Sequence, residues 1–296
     1  MSFLNNVITG VSLGSIYAII ALGYTMVYGI AKMLNFAHGD VIMVGAYMCF
    51  FAMGSFGLPP AAGVLLAMVV CTVLGIVIER LAYKPLRSAP SLAVLITAIG
   101  VSYFLQNSAQ ILWGAATVTF TPIVGTGPDA RLVLIPGQLS ISYVTILSVV
   151  CCVIVMAALT LFTGKTRMGK AMRACSEDKG AAQLMGIDVN TTISVTFAIG
   201  SALAAVAGVL MCSAYPVLSP TTGSLPGIRA FTAAVFGGIG SIPGALLGGI
   251  LLGVIETFAK AYISTDLSDA VVFVVLIIVL LVRPAGLMGK YVPEKV

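Results

Sequence analysis

Few side chains in this sequence of 296 residues have the types and spacing that chemistry requires. His38 is the only histidine, so the sequence holds no multi-histidine metal site. Asp40 follows it by two residues, and the two could form a proton-linked pair. We weigh that pair against a polar cap at a helix boundary and favour the cap. No Ser/His/Asp, Cys/His or paired-carboxylate set stands out, so we expect no enzymatic activity and no metal or other cofactor bound by this chain.

Glu256 and Lys260 are a second candidate pair, because they lie four residues apart on one helical face. Ionisable residues within a span are often functional, but mutual neutralisation explains their presence here. A P-loop is excluded, because the motif needs a glycine five positions before Gly164 and the sequence has Leu159 there. None of the six cysteines forms a CxxC pair, and we interpret them as small apolar residues.

The elements that must position these residues are membrane spans. The chain is 59% hydrophobic and only 8% charged, with a mean hydropathy of +1.12, whereas soluble domains contain roughly 25% charged residues. A spanning helix needs about 20 mostly apolar residues. Windows of sufficient length that contain no Asp, Glu, Lys or Arg are residues 1–31, 41–78, 88–128, 132–164, 189–228 and 231–255. Since these runs lack the alternation of barrel strands, we predict an all-α, polytopic transmembrane helix bundle.

The loops between spans give the orientation. We expect spans at residues 5–30, 41–56, 61–78, 92–112, 143–162, 191–212 and 267–282. Lys and Arg accumulate on the cytoplasmic side, and they are concentrated at 79–87, at 165–188 and in the tail that holds Arg283, Lys290 and Lys295. These segments are predicted inside, and the loop at 113–142 outside. Because the basic residues lie in short loops, the net charge of +5 does not indicate a nucleic-acid partner.

Residues 227–262 must leave and return on the outer side, because the spans around them already supply the two required crossings. Glycines and Pro243 interrupt the helix between Gly237 and Gly244. We therefore expect about eight spans with one broken or re-entrant segment near 230–262, which is tolerated where it lines a cavity or packs inside protein. The same count places residues 32–40 inside and the N-terminus outside. Residues 1–296 are expected to form a single transmembrane domain.

Residues 165–190 form the most charged stretch of the chain, too polar for a span and too long for a tight turn. We expect a short cytoplasmic helix that ends at Gly186 as its C-cap. Ala181, Ala182, Leu184 and Met185 would present small and apolar groups on it. The residues alone leave two interpretations open, a docking helix for a cytoplasmic partner and an ordinary basic loop.

Five blocks of the sequence resemble one known family. They are GVSLGSIYA at residues 10–18, GYTMVYG at 23–29, LNFAHGD at 34–40, the stretch from RACSED to MGI at 173–187, and FTAAVFGGIGSIPGA at 231–245. These blocks resemble the LivH-type permeases, which are the membrane subunits of branched-chain amino acid ABC importers. The resemblance extends over residues 10–289, nearly the whole chain.

The resemblance implies a multi-pass protein of a bacterial inner membrane, working by alternating access. Its expected partners are a second, LivM-like permease subunit, two cytoplasmic ATPase subunits that use ATP, and a periplasmic binding protein that delivers leucine, isoleucine or valine. Two alternatives stay open: an ABC permease for another small solute such as urea, an amide or a sugar, and a stand-alone secondary transporter. The stand-alone transporter predicts several unpaired ionisable residues deep in the spans, and this sequence offers few.

The resemblance also implies two groups of site residues. Those expected to sit in the ATPase groove and transmit its movement are Arg173, Glu177, Asp178, Ala181, Ala182, Met185, Gly186 and Asp188. Those expected at helix breaks beside the transport path are Asn35, His38, Gly39, Gly237, Gly238, Gly240, Pro243 and Gly244. ATP-driven closure of the ATPases is expected to move the first group, after which the spans rearrange around the second.

Overall fold

The computed structural model describes residues 2–87, 89–125, 131–135 and 139–289. The described residues form eleven α-helices: α1 (Ser2–Ala31), α2 (His38–Gly54), α3 (Pro60–Ile78), α4 (Ser91–Trp113), α5 (Tyr143–Lys165), α6 (Arg167–Glu177), α7 (Lys179–Leu184), α8 (Val189–Ala214), α9 (Ser224–Gly237), α10 (Ile242–Tyr262) and α11 (Ser268–Val282). Six of them, α1, α3, α4, α5, α8 and α10, are long and apolar enough to cross a membrane. The all-α, multi-pass bundle is thereby confirmed.

Two of the predicted spans are shorter than a full crossing. Helix α2 has 17 residues and α11 has 15, although both are apolar. Helix α9 has 14 residues, which corresponds to about 21 Å. The six long helices together with the two shorter apolar helices, α2 and α11, correspond to the predicted count of about eight spans. Lys290 and Lys295 of the predicted inner tail lie outside the described residues.

Helix α1 occupies the centre of the bundle. It packs chiefly against α10, α8 and α9, and its residues from Ile16 to Leu22 are almost completely buried. Small residues make this closeness possible, since a Cβ added to Gly14 would lie 2.7 Å from Cα of Ile250. Helices α3, α4, α5 and α11 surround this core and expose large apolar side chains such as Leu65, Ile96 and Leu281. Such a surface suits contact with lipid rather than water.

Short strands join the loops at the end of the bundle that we predicted to be outer. Strand β1 (Val118–Thr119) pairs antiparallel with β4 (Val217–Leu218), so the loop after α4 contacts the segment after α8. Strands β2 (Arg131–Ile135) and β3 (Leu139–Ser142) form a second antiparallel pair. Residues 113–142 were predicted to be a loop, and these strands were not predicted. Residues 126–130 and 136–138 of that loop lie outside the described residues.

The opposite end of the bundle, which we call the inner end after its predicted orientation, carries two departures from expectation. Helix α3 continues past Ile78 through a π-helical turn, Glu79–Tyr83, and a 3₁₀ turn, Lys84–Leu86, where a charged loop was predicted. The expected single helix of 165–190 is two helices, α6 and α7. They divide at Asp178, whose carboxylate accepts hydrogen bonds from the N–H groups of Gly180 and Ala181 and so begins a new helix.

Candidate functional site

The first helix break lies between α1 and α2. Helix α1 stops where Lys32 adopts a left-handed conformation, with φ of +56°. The chain then folds back into the bundle, because the His38 ring lies against Gly23, eight residues before the end of α1. Eight residues correspond to about 12 Å of helix. Helix α2 therefore begins inside the bundle rather than at its surface.

The folding back buries the polar residues of this break. Asn35 is 5% exposed, and His38 and Asp40 are each 1% exposed. The predicted polar cap at a helix boundary agrees with the position of His38, which is the first residue of α2. What the sequence did not show is that this boundary lies in the interior. The His38 ring packs against Tyr24 at a tilt of 58°, with ring centroids 4.6 Å apart, and no hydrogen bond joins His38 to Asp40.

The second break lies between α9 and α10 and has the predicted position. Gly238 and Gly240 have φ of +105° and +95°, conformations that side chains other than glycine's rarely adopt. The Ser241 hydroxyl then caps α10 by accepting a hydrogen bond from the Gly244 N–H at 3.2 Å. Pro243 lies in the first turn of α10, where its missing N–H has no cost.

Two neighbouring features fix the second break. A Cβ on Gly237 would clash with the Gly244 backbone, so the arms of the break cross closely. Beyond α11, the N–H groups of Leu287 and Met288 donate to the carbonyls of Phe236 and Gly237 at 3.0 and 2.9 Å. These bonds satisfy two of the carbonyls that the end of α9 leaves free. The break therefore reaches the inner end of the bundle, where α11 also ends.

The two breaks meet around one cavity. Its lining residues are Tyr24, Val27, Tyr28, Met33, Leu34, Asn35, Phe231 and Ile239. Asn35 comes from the first break, and Ile239, between Gly238 and Gly240, comes from the second. The space holds about one water molecule, so the structure is closed to larger solutes. Most of the wall is apolar or aromatic, and the Asn35 amide supplies a polar group.

The predicted path residues thus divide into two sets. Asn35 lines the cavity, and His38 packs against Tyr24, which is part of the cavity wall. Gly39, Gly237 and Gly244 instead allow backbone segments to approach each other. Sequence reasoning missed Tyr24, Tyr28 and Phe231 as lining residues. The only signal was that all three belong to the blocks GYTMVYG and FTAAVFGGIGSIPGA.

A polar network joins the start of α2 to the start of α9. The Gln106 amide donates to the Asp40 carboxylate at 2.9 Å, to the Ser224 hydroxyl at 3.1 Å and to the Ser102 hydroxyl at 3.2 Å. No ion pair joins Asp40 to a lysine or arginine among the described residues. Asp40 lies in the first turn of α2, so the positive end of its own helix is close to this carboxylate.

A charged cluster toward the outer end joins four helices. The Glu256 carboxylate, fully buried, accepts hydrogen bonds from Lys260 at 2.5 Å, from Arg229 at 2.9 Å and from the Tyr17 hydroxyl at 2.9 Å. Arg229 also pairs with Asp269 at 2.5 Å. The predicted Glu256–Lys260 pair is confirmed, but it is part of a larger cluster that links α1, α9, α10 and α11.

At the inner end, α6 and α7 form a projecting surface. Leu184 is 90% exposed and Met185 is 82% exposed, directly before Gly186, whose φ is +82°. Ala181 is also exposed, whereas Ala182 is 4% exposed and faces the bundle, contrary to the expectation that it is presented outward. Two apolar side chains on a charged helix pair form a knob that a partner's groove could accept.

Two charged side chains anchor this surface to the bundle. The Asp188 carboxylate caps α8 and accepts bonds from the Thr191 hydroxyl at 2.6 Å and from the N–H groups of Thr191 and Asn190; these hydrogen bonds, Thr191's first, hold its pKa below the usual range. The Lys179 ammonium donates to the Ala31 carbonyl, the last of α1, at 2.6 Å. Partial burial is the main cause that lowers the pKa of Lys179, and the nearby cations Arg87 and Lys32 lower this pKa further.

A bundle of apolar helices that closes two interrupted segments around a cavity, with a helical knob at one end, defines a membrane permease. The family model described as branched-chain amino acid transport system, permease component, matches residues 6–280, and the chain belongs to this family. The family resemblance predicted from the sequence is thereby confirmed.

Curated relatives agree with the family assignment. The high-affinity branched-chain amino acid transport system permease protein LivH of Salmonella typhimurium is 46% identical, over 99% of this chain and 98% of the relative. BraD of Pseudomonas aeruginosa, described in the same words, is 46% identical over the same shares. A probable branched-chain amino acid transport permease protein LivH of Methanocaldococcus jannaschii is 30% identical over 93% of this chain and 89% of the relative.

Proposed function

We propose that the chain is the permease subunit of an ATP-driven importer that moves branched-chain amino acids across a bacterial inner membrane by alternating access. The observation that carries this proposal is a closed cavity walled by both interrupted segments. Interrupted helices near a bundle's centre are where transporters commonly place their substrate path. The names of the relatives LivH and BraD, permeases of branched-chain amino acid transport systems, support branched-chain amino acids as the substrate class.

The chemistry of the cavity wall suits such a substrate. Aliphatic side chains of leucine, isoleucine and valine can pass aromatic and apolar groups such as Tyr28, Met33 and Phe231 without hydrogen-bond partners. The charged ends of an amino acid need polar groups, and Asn35 offers one in the wall. Because the cavity now holds only about one water molecule, the two segments must separate for passage.

The partners of the chain follow from its two ends. We propose that the knob formed by Leu184 and Met185 docks in a groove of a cytoplasmic ATPase, with Ala181 and Gly186 beside it. The charged residues at or near this contact are Arg173, Glu177, Asp178 and Asp188. Two such ATPases use ATP, and this chain binds no nucleotide. A second, LivM-like permease subunit completes the membrane unit. A periplasmic amino-acid-binding protein docks at the outer end, where the strand pairs lie.

The first test is uptake of labelled leucine by cells that lack this gene, with and without the gene restored. We expect uptake to be lost and then to return, and excess isoleucine or valine to compete. Competition by urea, an amide or a sugar instead of these amino acids would overturn the substrate class. Absence of any ATPase that co-purifies with the chain would overturn the importer assignment in favour of a stand-alone transporter.

The docking surface is tested by a matched pair of variants at Gly186. A Cβ at this position meets nothing within 4 Å, so a substitution there causes no clash with the bundle and acts only through the strained backbone, whose φ is +82°. Gly186→Leu forces a branched side chain into the left-handed region, whereas Gly186→Asn is tolerated there. We expect the Leu variant to lose co-purifying ATPase and uptake, and the Asn variant to keep most of both. Equal assembly and equal transport in the two variants would count against this docking site.

A further inference from the structure

The segment from Ala31 to Asn35, which we call the gate segment, is held at both of its ends by side chains from elsewhere in the chain. At its start, the Lys179 ammonium of α7 donates to the Ala31 carbonyl at 2.6 Å. At its end, the Tyr83 hydroxyl donates to the Asn35 side-chain oxygen at 2.8 Å. Between these bonds, Met33 and Leu34 line the cavity together with Asn35.

The donors of the two bonds, Tyr83 and Lys179, are both connected to the inner end of the bundle. Tyr83 is the last residue of the π-helical turn Glu79–Tyr83. At the start of that turn, the fully buried Glu79 accepts a hydrogen bond from the Ser194 hydroxyl of α8 at 2.6 Å and pairs with Arg87. Arg87 also donates to the Asn190 side chain, in the first turn of α8.

The first turn of α8 follows the knob directly in the chain. Asp188, the cap of α8, stands two residues after Gly186. A displacement of α7 and of the start of α8 would therefore reach the gate segment by two separate routes. One route is direct, through Lys179, and the other passes through Glu79 and Arg87 to Tyr83. π-Helical turns such as Glu79–Tyr83 are frequently found at functional sites.

We propose that Lys179 and Tyr83 are positioning residues that transmit movement of α7 and α8 to the gate segment and so open the wall of the cavity. This inference rests on the proposed function, because it gives the ATP-driven movement a defined route. Neither residue lines the cavity or belongs to the exposed knob. Each acts through the backbone or side chain of a gate residue.

The test uses the assembled transporter in liposomes and measures leucine uptake and ATP hydrolysis on the same preparation. Tyr83→Phe removes one oxygen atom and keeps the ring packed on Phe197, 5.2 Å between centroids. Lys179→Met removes the ammonium but keeps the length of the side chain. We expect assembly and ATP hydrolysis to be nearly unchanged, while ATP consumed per leucine rises about fivefold in Tyr83→Phe, the factor that corresponds to one lost neutral hydrogen bond, and more than this in Lys179→Met, because the lost bond has a charged donor.

Three further variants separate transmission from a merely structural role. Lys179→Arg retains a donor for the Ala31 carbonyl and should restore coupling. Lys84→Met removes an exposed cation from the same end of the bundle, and Tyr103→Phe removes a hydroxyl from an exposed tyrosine. Both controls should match the native transporter. In Tyr83→Phe with Lys179→Met, ATP consumed per leucine should rise further than in either single variant.

Two results would overturn the inference. One is native uptake together with native ATP hydrolysis in both single variants, and the other is uptake and ATP hydrolysis falling in proportion, which would show only a loss of folded complex. Failure of the proposed function has a different signature, since no ATPase would then assemble with the native chain and leucine uptake would not depend on ATP.

Discussion

The charged cluster around Glu256 gives the sharpest prediction about the stability of the bundle. Glu256 is fully buried and receives hydrogen bonds from Lys260, Arg229 and Tyr17. The substitution Glu256→Gln keeps the size of the side chain and removes its charge. Arg229, whose side chain is only 16% exposed, would then retain Asp269 as its one remaining charged partner in the described part of the chain.

The expected cost follows from the burial of these groups. Removing one partner of a buried ion pair costs about 3–5 kcal/mol, because the other charge is left uncompensated. Lys260 is 35% exposed and Asp269 is 39% exposed, so water can compensate for part of the loss. We therefore expect about 3 kcal/mol, at the lower end of the range. For a chain of 296 residues, that lowers the unfolding midpoint by roughly 5 °C.

The assay follows the fluorescence of the purified protein in detergent during heating. Trp113 is the only tryptophan in the sequence and stacks on Tyr47, with ring centroids 4.4 Å apart, so its emission reports on packing of α2 against α4. Asp266→Asn, which removes an exposed carboxylate after α10, is the matched control and should leave the midpoint unchanged.

A double variant tests the reasoning behind the magnitude. Glu256→Leu with Arg229→Met replaces both buried charges by apolar groups, and such replacements are often neutral or stabilising. We expect the double variant to recover at least half of the loss seen in Glu256→Gln. A midpoint of Glu256→Gln within about 1 °C of the native protein would refute the view that this cluster holds the four helices together.

Two further predictions concern close packing and helix capping. Gly39→Ala places a Cβ 2.6 Å from the Gly223 carbonyl oxygen. We therefore expect the free energy of unfolding to fall by about 1–3 kcal/mol, as followed by thermal unfolding. Gly100→Ala, where a Cβ meets nothing within 4 Å, should be neutral or slightly stabilising. Equal midpoints for these two variants would contradict the described contact between the starts of α2 and α9. The lowered pKa of Asp188 means that its charged form stabilises the cap above the pKa of the unfolded chain, about 3.9, and that this contribution fades as pH falls through the lower, folded pKa. The unfolding midpoint of Asp188→Asn should therefore lie below that of the native protein between pH 5 and 8 and approach it in strong acid. Unfolding midpoints measured from pH 8 down to strong acid check this. A difference in midpoint that does not change with pH would contradict the charge-assisted cap.

The positions of the helices could be predicted from the sequence because their causes are local. Charge-free windows of sufficient length predicted five of the six membrane-length helices, α1, α3, α4, α5 and α8, to within a few residues. Glycine and proline gave the break between α9 and α10, since their backbone preferences act on single residues. Gly186 was predicted as a C-cap for the same reason and has the expected left-handed backbone. The family resemblance extended this to the class of protein.

The arrangement of the polar residues was decided by the tertiary structure. From the sequence, His38 and Asp40 were interpreted as a polar cap at a helix boundary. Their burial could not be predicted, because nothing local shows that the chain after Lys32 folds back into the bundle. Glu256 and Lys260 were visible as a pair at helical spacing, but Tyr17 and Arg229 come from distant parts of the chain. Contacts of this kind depend on which helices pack together, and small residues such as Gly14 set that packing by steric fit between distant segments.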